Sequence, residues 1–500
     1  MVASRLADLG WLWMPAALIL LAFATQHYAL GSEQIDVDEA TFMVVAQSVL
    51  RNGLPYIEAL DNKPPLFFLI LAGGMAAMGE TVEAVRLFGD AAIAATAVIL
   101  FVLCKRYVSQ ALAFALAAAF VVSHAGHLGE STNSEIIANL FVATSLLVLA
   151  SLPNSNRASY AAGVMIGCAV LVRTNLVYLA LGVTLLHLFA IYRPAAIGLR
   201  RWSVIALSFG GLTPLLAVVG LFALHGQLPL LWVAAVELPL EYARSRTGTV
   251  GLVWIPLGFL RLVPGVSSVI VLLLILGLGS VMSLLRQDAP KTFLRDRVIF
   301  ATFLVSICLS IAMTGSFYNH YMLQTFPPVL GLGAVSLALA GKKLTNWVLT
   351  GTTAIVALGT VWFGVQGALL VSRQIAGEVD HPIADAAAAI EAYSGSDDSV
   401  WALGNQLILF FLDRDPMLPI GAFPANLRRE AMYAPLVRAG LMPADPMHAI
   451  FEQRPRYVVL SQFEPPSGLA AEDQTAFSEE YEQWWAQEGV VVARRINTAQ

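Results

Sequence analysis

Leu66-Phe67-Phe68-Leu69-Ile70-Leu71-Ala72-Gly73-Gly74-Met75-Ala76-Ala77-Met78, LFFLILAGGMAAM, decides how the rest of the chain is read. It is apolar from end to end but only thirteen residues long, whereas a helix needs about 20 residues to cross a hydrocarbon core. Were it to cross, every later loop would change sides. Lys105-Arg106 and Arg200-Arg201 would then face outward, against the bias of lysine and arginine toward cytoplasmic loops. The segment therefore reads as a juxtamembrane or re-entrant helix on the outer side. Residues 31–84 become one large outer loop.

The surrounding composition fits a membrane. The chain of 500 residues is 58% hydrophobic and 13% charged, with mean hydropathy +0.71. A soluble domain is about 45–50% apolar and about 25% charged. The excess is gathered into runs at 11–30, 85–104, 111–126, 135–152, 159–172, 175–192, 202–223, 266–285, 298–314, 322–340 and 346–370, eleven candidate spans. With the N-terminus cytoplasmic, and the long C-terminal tail left out because long domains translocate largely regardless of charge, thirteen basic residues fall in inner loops and seven in outer loops or span ends. That balance supports the orientation. The first run is long for a signal peptide and lacks a small-x-small cleavage site, so it reads as a retained span. Cys104, Cys168 and Cys308 lie inside apolar runs without disulfide or metal-ligand spacing, and read as packing residues. No basic tract points to nucleic acid.

Outside the spans, Asp38 to Leu50 places Phe42, Val45, Ala46 and Val49 at i, i+3, i+4 and i+7, the pattern of a helix with one apolar face. It reads as an interfacial helix. A second outer segment covers 224–265. From 371 the composition turns polar, and a soluble tail of residues 371–500 follows the membrane domain of residues 1–370. Strand patterns at 399–403, 456–461 and 489–493 alternate with helical patterns at 382–393, 424–438 and 474–486, as in a small α/β domain. Trp484-Trp485 reads as packing within that domain.

Polar groups recur where this topology brings the chain to the outer face: Asp36-Val37-Asp38-Glu39, Asp61-Asn62-Lys63-Pro64-Pro65, His127 to Glu135, and Tyr318-Asn319-His320-Tyr321. Arg86 and Arg173 lie at outer ends of spans. Any one such charge is most simply a solvated surface group, but their gathering on one side points to a site. A carboxylate beside an acceptor hydroxyl or amine can act as general base. Lysine and arginine can hold a phosphate leaving group.

Several of these residues carry a resemblance. Asp38-Glu39-Ala40, Ala46, Gly53-Leu54-Pro55-Tyr56 and Asp61-Asn62-Lys63-Pro64-Pro65-Leu66 resemble the first outer loop of membrane glycosyltransferases of the C superfamily. The branch is that of the protein O-mannosyltransferases and the lipid A aminoarabinose transferase (glycosyltransferase families 39 and 83). Glu83-Ala84-Val85-Arg86-Leu87, the Glu130–Glu135 stretch, and His320-Tyr321 followed by Pro327-Pro328 are looser matches.

The resemblance implies an inverting transfer of a sugar from a polyprenyl-phosphate carrier to an acceptor outside the cytoplasm. It makes Asp38 the base, with Glu39 the alternative or a group that positions the acceptor. Lys63 would contact the carrier phosphate, assisted by Arg86 or Arg173. Asp61, Glu130, Glu135, His320 and Tyr321 would bind donor or acceptor, either glutamate being the second acid. The chain departs from the family where Arg173-Thr174-Asn175 replaces a lysine-glycine-proline-like segment. Some relatives bind a divalent metal, for which Asp38, His127, Glu130 and Glu135 have suitable donor atoms.

The expectation is a polytopic α-helical glycosyltransferase of the bacterial cytoplasmic membrane. It has interfacial helices in its first outer loop and an extracytoplasmic α/β tail. Its acceptor would be a glycolipid, a cell-wall polysaccharide or a protein. A transporter or flippase of lipid-linked saccharides is the alternative. Such proteins often show an inverted repeat and broken helices near mid-membrane, whereas this sequence shows no repeat, its spans are nearly free of internal charge and its polar groups gather at one face. An envelope assembly protein without catalysis would need neither acidic motif nor KPP.

Overall fold

The computed structural model describes residues 13–125, 131–152, 155–192, 202–245, 251–261, 268–282, 291–314, 318–340, 342–395 and 398–496. The longer helices, in chain order, are α1 (Trp13–Gln26), α2 (Val37–Asn52), α3 (Pro65–Met78), α4 (Val82–Cys104), α5 (Gln110–His124), α6 (Ser134–Ser151), α7 (Asn156–Val172), α8 (Val177–Tyr192), α9 (Ser203–Leu224), α10 (Leu238–Ser245), α11 (Gly251–Arg261), α12 (Ser268–Met282), α13 (Lys291–Ala312), α14 (Phe326–Leu339), α15 (Lys342–Ile375), α16 (Pro382–Tyr393), α17 (Glu430–Arg438) and α18 (Ala471–Glu480). The strands are β1 (Val400–Ala402), β2 (Tyr457–Leu460), β3 (Tyr481–Gln487) and β4 (Val490–Arg495).

Each apolar run read as a span coincides with a helix. Among the described residues, six helical stretches are long and apolar enough to cross a membrane: Val82–Cys104, Ser134–Ser151, Thr174–Tyr192, Ser203–Leu224, Asn319–Leu339 and Lys342–Ile375. Trp13–Gln26, Pro65–Met78, Gln110–His124, Asn156–Val172 and Ser268–Gly277 are apolar but shorter. The thirteen-residue stretch that opened the reading lies within α3.

The chain divides into two compact units. One comprises Met1–Leu30, Arg86–Val218 and Arg246–Ser372; the other comprises Gly31–Val85, Val219–Ser245 and Arg373–Gln500. In the first, helices approach most closely where side chains vanish. A Cβ on Gly163 would meet the Leu207 carbonyl oxygen at 2.1 Å, and one on Gly167 the Gly211 oxygen at 2.4 Å. Gly163 and Gly167 are one turn apart on α7 and make the small-xxx-small contact of membrane helix pairs. At the other end of α7's neighbour α6, the buried Asp296 accepts from the Tyr107 hydroxyl at 2.8 Å and from Arg295 at 2.6 Å. The carbonyl of Ala150 accepts from both Arg106 and Arg295. These charges are buried only as a bonded group, the condition under which burial is tolerable.

In the second unit α2 and α3 pack together through Phe42, whose ring meets Phe67 edge-on at 4.9 Å. The expected single apolar face of α2 is buried, and so is every residue between Glu39 and Val49. The tail forms a four-stranded sheet of order β1-β2-β4-β3. The β1–β2 pair is parallel and the other two are antiparallel.

Two expectations for the tail are corrected. The helix expected over 474–486 ends at Glu480, and Tyr481–Gln487 is a strand. Aromatic Tyr481, Trp484 and Trp485 suit a strand. Glu488 and Gly489, with φ of 37° and 78°, make the two-residue turn with both φ positive that joins hairpin strands. The helix expected over 424–438 begins only at Glu430, after a 3-10 turn at Pro424–Arg428. Trp484 packs within the domain, 5.4 Å from Tyr457.

Gly163→Leu is expected to lower stability by about 1–3 kcal/mol through overpacking, read as a drop in thermal midpoint in detergent. Gly351→Leu, whose Cβ meets nothing within 4 Å, should leave the midpoint unchanged. In the tail, His448 donates to or accepts from Asp473 at 2.7 Å through Nδ1 and lies 3.2 Å from Glu452 through Nε2. The Asp473 hydrogen bond pushes its pKa above the ordinary imidazole value despite some desolvation. A raised folded-state pKa stabilises below the unfolded value and loses that effect as pH rises through the folded value. His448 should therefore titrate above about 6.5 by histidine-selective NMR, and Asp473→Asn should bring it down.

Candidate active site

The acidic motif starts a helix. Asp36, in extended conformation, caps α2 and accepts from the Asp38 amide at 3.0 Å, satisfying a donor that has no partner within the helix. Asp38 and Glu39 then occupy the first turn, where negative charge is favoured by the helix dipole. Asp38 is half-buried, and Glu39 is 1% exposed.

Lys63 is held by the loop that carries it. Its ammonium lies 3.3 Å from Asp61 Oδ2 and 3.3 Å from Asn62 Oδ1, and 4.9 Å from the centre of the Phe42 ring. Its backbone amide also donates to Asp61, at 3.2 Å. The two prolines fix the exit: Pro64 is extended, and Pro65 opens α3, the helix position where a missing N–H matters least. Tyr56 closes the loop by donating its hydroxyl to the Lys63 carbonyl at 2.6 Å. Burial, followed by the Asp61 charge, pushes the Tyr56 phenol well above its ordinary pKa, so it remains a donor. Its φ of 79° is a left-handed conformation rare for a bulky residue.

Phe42 links the two motifs. It stands four residues after Asp38, on the same face of α2, and Lys63 rests on its ring. The acid of the first motif and the ammonium of the second thus share one helix face.

Glu135, Arg173, His320 and Tyr321 belong to the first unit and form their own cluster. Glu135 begins α6, and Arg173 ends α7. Arg173 Nη1 lies 2.7 Å from Glu135 Oε1 and donates to Ser134 Oγ at 2.9 Å. His320 Nε2 lies 3.5 Å from the same glutamate oxygen. The guanidinium stands over the Tyr321 ring at 4.4 Å, and the His320 ring is stacked against Tyr318 at 5.6 Å. The Nε of Arg173, the hydroxyl of Thr174 and the side-chain oxygen of Asn175 are buried and meet no hydrogen-bond partner among the described residues. Arg86 is buried on α4 and donates to the Ala29 carbonyl at 2.6 Å.

The structure therefore brings Asp61 and Lys63 together in one unit, and Glu135, Arg173, His320 and Tyr321 in the other. His127 and Glu130 lie outside the described residues. Among the described residues, no group of three or more His, Cys, Asp or Glu side chains is placed to hold a metal ion. Sequence reasoning missed Phe42 as part of these arrangements, and gave Ser134 and Tyr318 no individual role within the polar stretches that contain them. Phe42 had been assigned only to an apolar face; Tyr56 sat in a quoted motif without a role.

Comparisons with known proteins agree with the resemblance. The sequence model of the family described as dolichyl-phosphate-mannose-protein mannosyltransferase matches residues 62–221. No curated protein matches the chain. ArnT from Cupriavidus metallidurans bound to undecaprenyl phosphate is similar in structure, with a TM-score of 0.66 and 14% identity over 98% of this chain and 99% of that one. The apo oligosaccharyltransferase of Archaeoglobus fulgidus has a TM-score of 0.55 and 10% identity, over 90% of this chain and 69% of that one. The chain thus shares the helical fold of these two solved structures, with a small C-terminal sheet as expected.

Arg173→Met should strand the buried Glu135 charge and cost about 3–5 kcal/mol, seen as a lower thermal midpoint. Adding Glu135→Leu should restore much of the loss, because removing both charges is milder than removing one.

Proposed function

We propose that this protein is an inverting glycosyltransferase of the bacterial cytoplasmic membrane. It moves a sugar from a polyprenyl-phosphate carrier to a glycolipid, cell-wall polysaccharide or protein on the outer side. The N-terminus is cytoplasmic, and the motif loop and tail are extracytoplasmic. The observation that carries the reading is the shared face of α2, with Asp38 at its start and the Lys63 ammonium on the Phe42 ring one turn later.

The chemistry follows from the groups. Asp38 removes the proton from an acceptor hydroxyl or amine as that atom attacks the anomeric carbon. The carbon–oxygen bond to phosphate breaks from the opposite side, which inverts the centre. The polyprenyl phosphate leaves with the bonding pair. Lys63 offsets the charge gained by the phosphate, as a cation placed at developing charge does. Phosphate is stable as an anion, so no general acid is required. Glu39 is the alternative base.

Of the two candidate assisting cations, Arg173 has a local feature in favour of a phosphate-binding role. Its Nη1 is committed to Glu135 and Ser134, while its buried Nε lacks a protein acceptor among the described residues. A phosphate oxygen would supply one. Glu135, His320 and Tyr321 would then hold Arg173 and line the donor or acceptor path, with Asp61 holding Lys63.

Asp38→Asn should lower transfer by 10²–10⁴-fold, roughly the contribution of a general base, while leaving undecaprenyl phosphate binding by native mass spectrometry intact. Lys63→Ala should weaken that binding about 10–100-fold, as expected for a lost charge-assisted bond of about 1.5–3 kcal/mol. Loss of transfer in Glu39→Gln instead would move the base to Glu39. Full transfer in both acid variants would overturn the reading.

A further inference from the structure

Gln406 follows β1 in the tail, more than three hundred residues from the acidic motif, yet it is bonded to the turn that carries that motif. Its side chain is 1% exposed. Nε2 donates to the Val37 carbonyl at 2.7 Å and to Thr41 Oγ1 at 3.0 Å. The Thr41 hydroxyl in turn donates to the same carbonyl at 3.0 Å. Val37 precedes Asp38, and Thr41 lies two residues past Glu39, so the amide brackets both acids. A buried amide must be bonded to be tolerated, and here its two N–H groups are spent on one helical turn.

The contact continues along α2. The short helix Leu407–Phe411 packs beside it. Gln47 donates to the Phe410 carbonyl at 3.3 Å. Arg51, in the last turn, pairs with Asp413 and with Asp415, the latter at 2.6 Å. Partners 406, 410 and 413–415 thus advance in step with 37–41, 47 and 51. The flanks are tied as well. The Leu60 amide donates to the Pro419 carbonyl at 2.7 Å. The Glu33 carboxylate accepts from the Ile383 and Ala384 amides at the start of α16.

We infer that the C-terminal segment is a clamp that sets the orientation of the acidic turn, with Gln406 as its positioning residue. This rests on the glycosyltransferase reading only for what the turn does. That the tail holds the turn is a matter of the bonds above. A separable acceptor-docking module would not need a buried amide on the backbone of α2. The consequence is that Gln406 affects the transfer step through Asp38 and Glu39, without touching substrate.

The test uses the full chain with Gln406→Leu, Gln406→Glu and Arg51→Ala. Hydrogen exchange is read along α2, undecaprenyl phosphate binding is read by native mass spectrometry, and transfer is read as the envelope glycan that an Asp38→Asn strain lacks. Gln406→Leu should speed exchange at the Ala40–Phe42 amides at least 10-fold. It should leave the 48–52 amides and lipid binding as in the wild type and lower transfer at least 10-fold. Gln406→Glu, which sets a carboxylate against a carbonyl, should do more. Arg51→Ala should loosen only the far end of the helix and change transfer less than 3-fold. Unchanged exchange at Ala40–Phe42 in both Gln406 variants overturns the inference, as does a parallel loss of protection across the sheet together with lipid binding. An Asp38→Asn strain with unaltered glycans, alongside the expected exchange pattern, overturns the glycosyltransferase reading and leaves the clamp standing.

Discussion

Two carboxylates begin a helix whose next ten residues, Ala40 to Val49, are buried, and the local structure of the second unit is arranged around that constraint. A helix start leaves amides without partners, and Asp36 takes one of them. Burial on all sides requires that packing come from several segments: α3 supplies Phe67 and Phe68, and the tail supplies Gln406 and the Leu407–Phe411 helix. Phe42 then becomes shared ground, at once part of the α2–α3 contact and the surface on which Lys63 rests. The 61–63 loop thus returns the lysine to the helix that bears the acids.

The first unit solves a related problem differently. Charge within an apolar bundle is costly unless it is paired and bonded. Glu135 and Arg173 meet this by facing each other across the α6 and α7 termini, with Ser134, His320 and Tyr321 completing the group. The Arg295–Asp296–Tyr107 group meets it with one bond between adjacent residues of α13 and one from the distant Tyr107 hydroxyl. Only the first of these lies among residues that the family resemblance had marked.

The apolar helices were legible because a continuous apolar run has few other interpretations, and each run from 11–30 to 346–370 falls on a helix, six of them long and apolar enough to cross a membrane among the described residues. Leu66 to Met78 was legible as a short apolar stretch, and it lies within the fourteen-residue helix α3. The tail was less so. Tyr481 to Gln487 continued a helical pattern, and only the Glu488-Gly489 turn, which pairs that segment with β4, shows it to be a strand. The Asp38-Glu39 and Lys63 motifs stood out as residue types in one loop, but their common support on Phe42 did not, since an aromatic on an apolar face carries no mark of a cation partner. Gln406 was invisible: its partners Val37 and Thr41 are distant in sequence, and no period or motif predicts such a bond. The GVMIG run at Gly163–Gly167 could have been read as a close helix contact from spacing alone.

The central claim is that the protein consumes a polyprenyl-phosphate-linked sugar. Mass spectrometry of total envelope lipids and glycans from cells with and without the gene tests it most directly. The account predicts that cells lacking the protein accumulate one polyprenyl-phosphate sugar and lose one glycan modification of the same sugar mass. A deletion strain whose lipid-linked sugars and envelope glycans both match the wild type, under conditions where the wild-type protein is made, would contradict it.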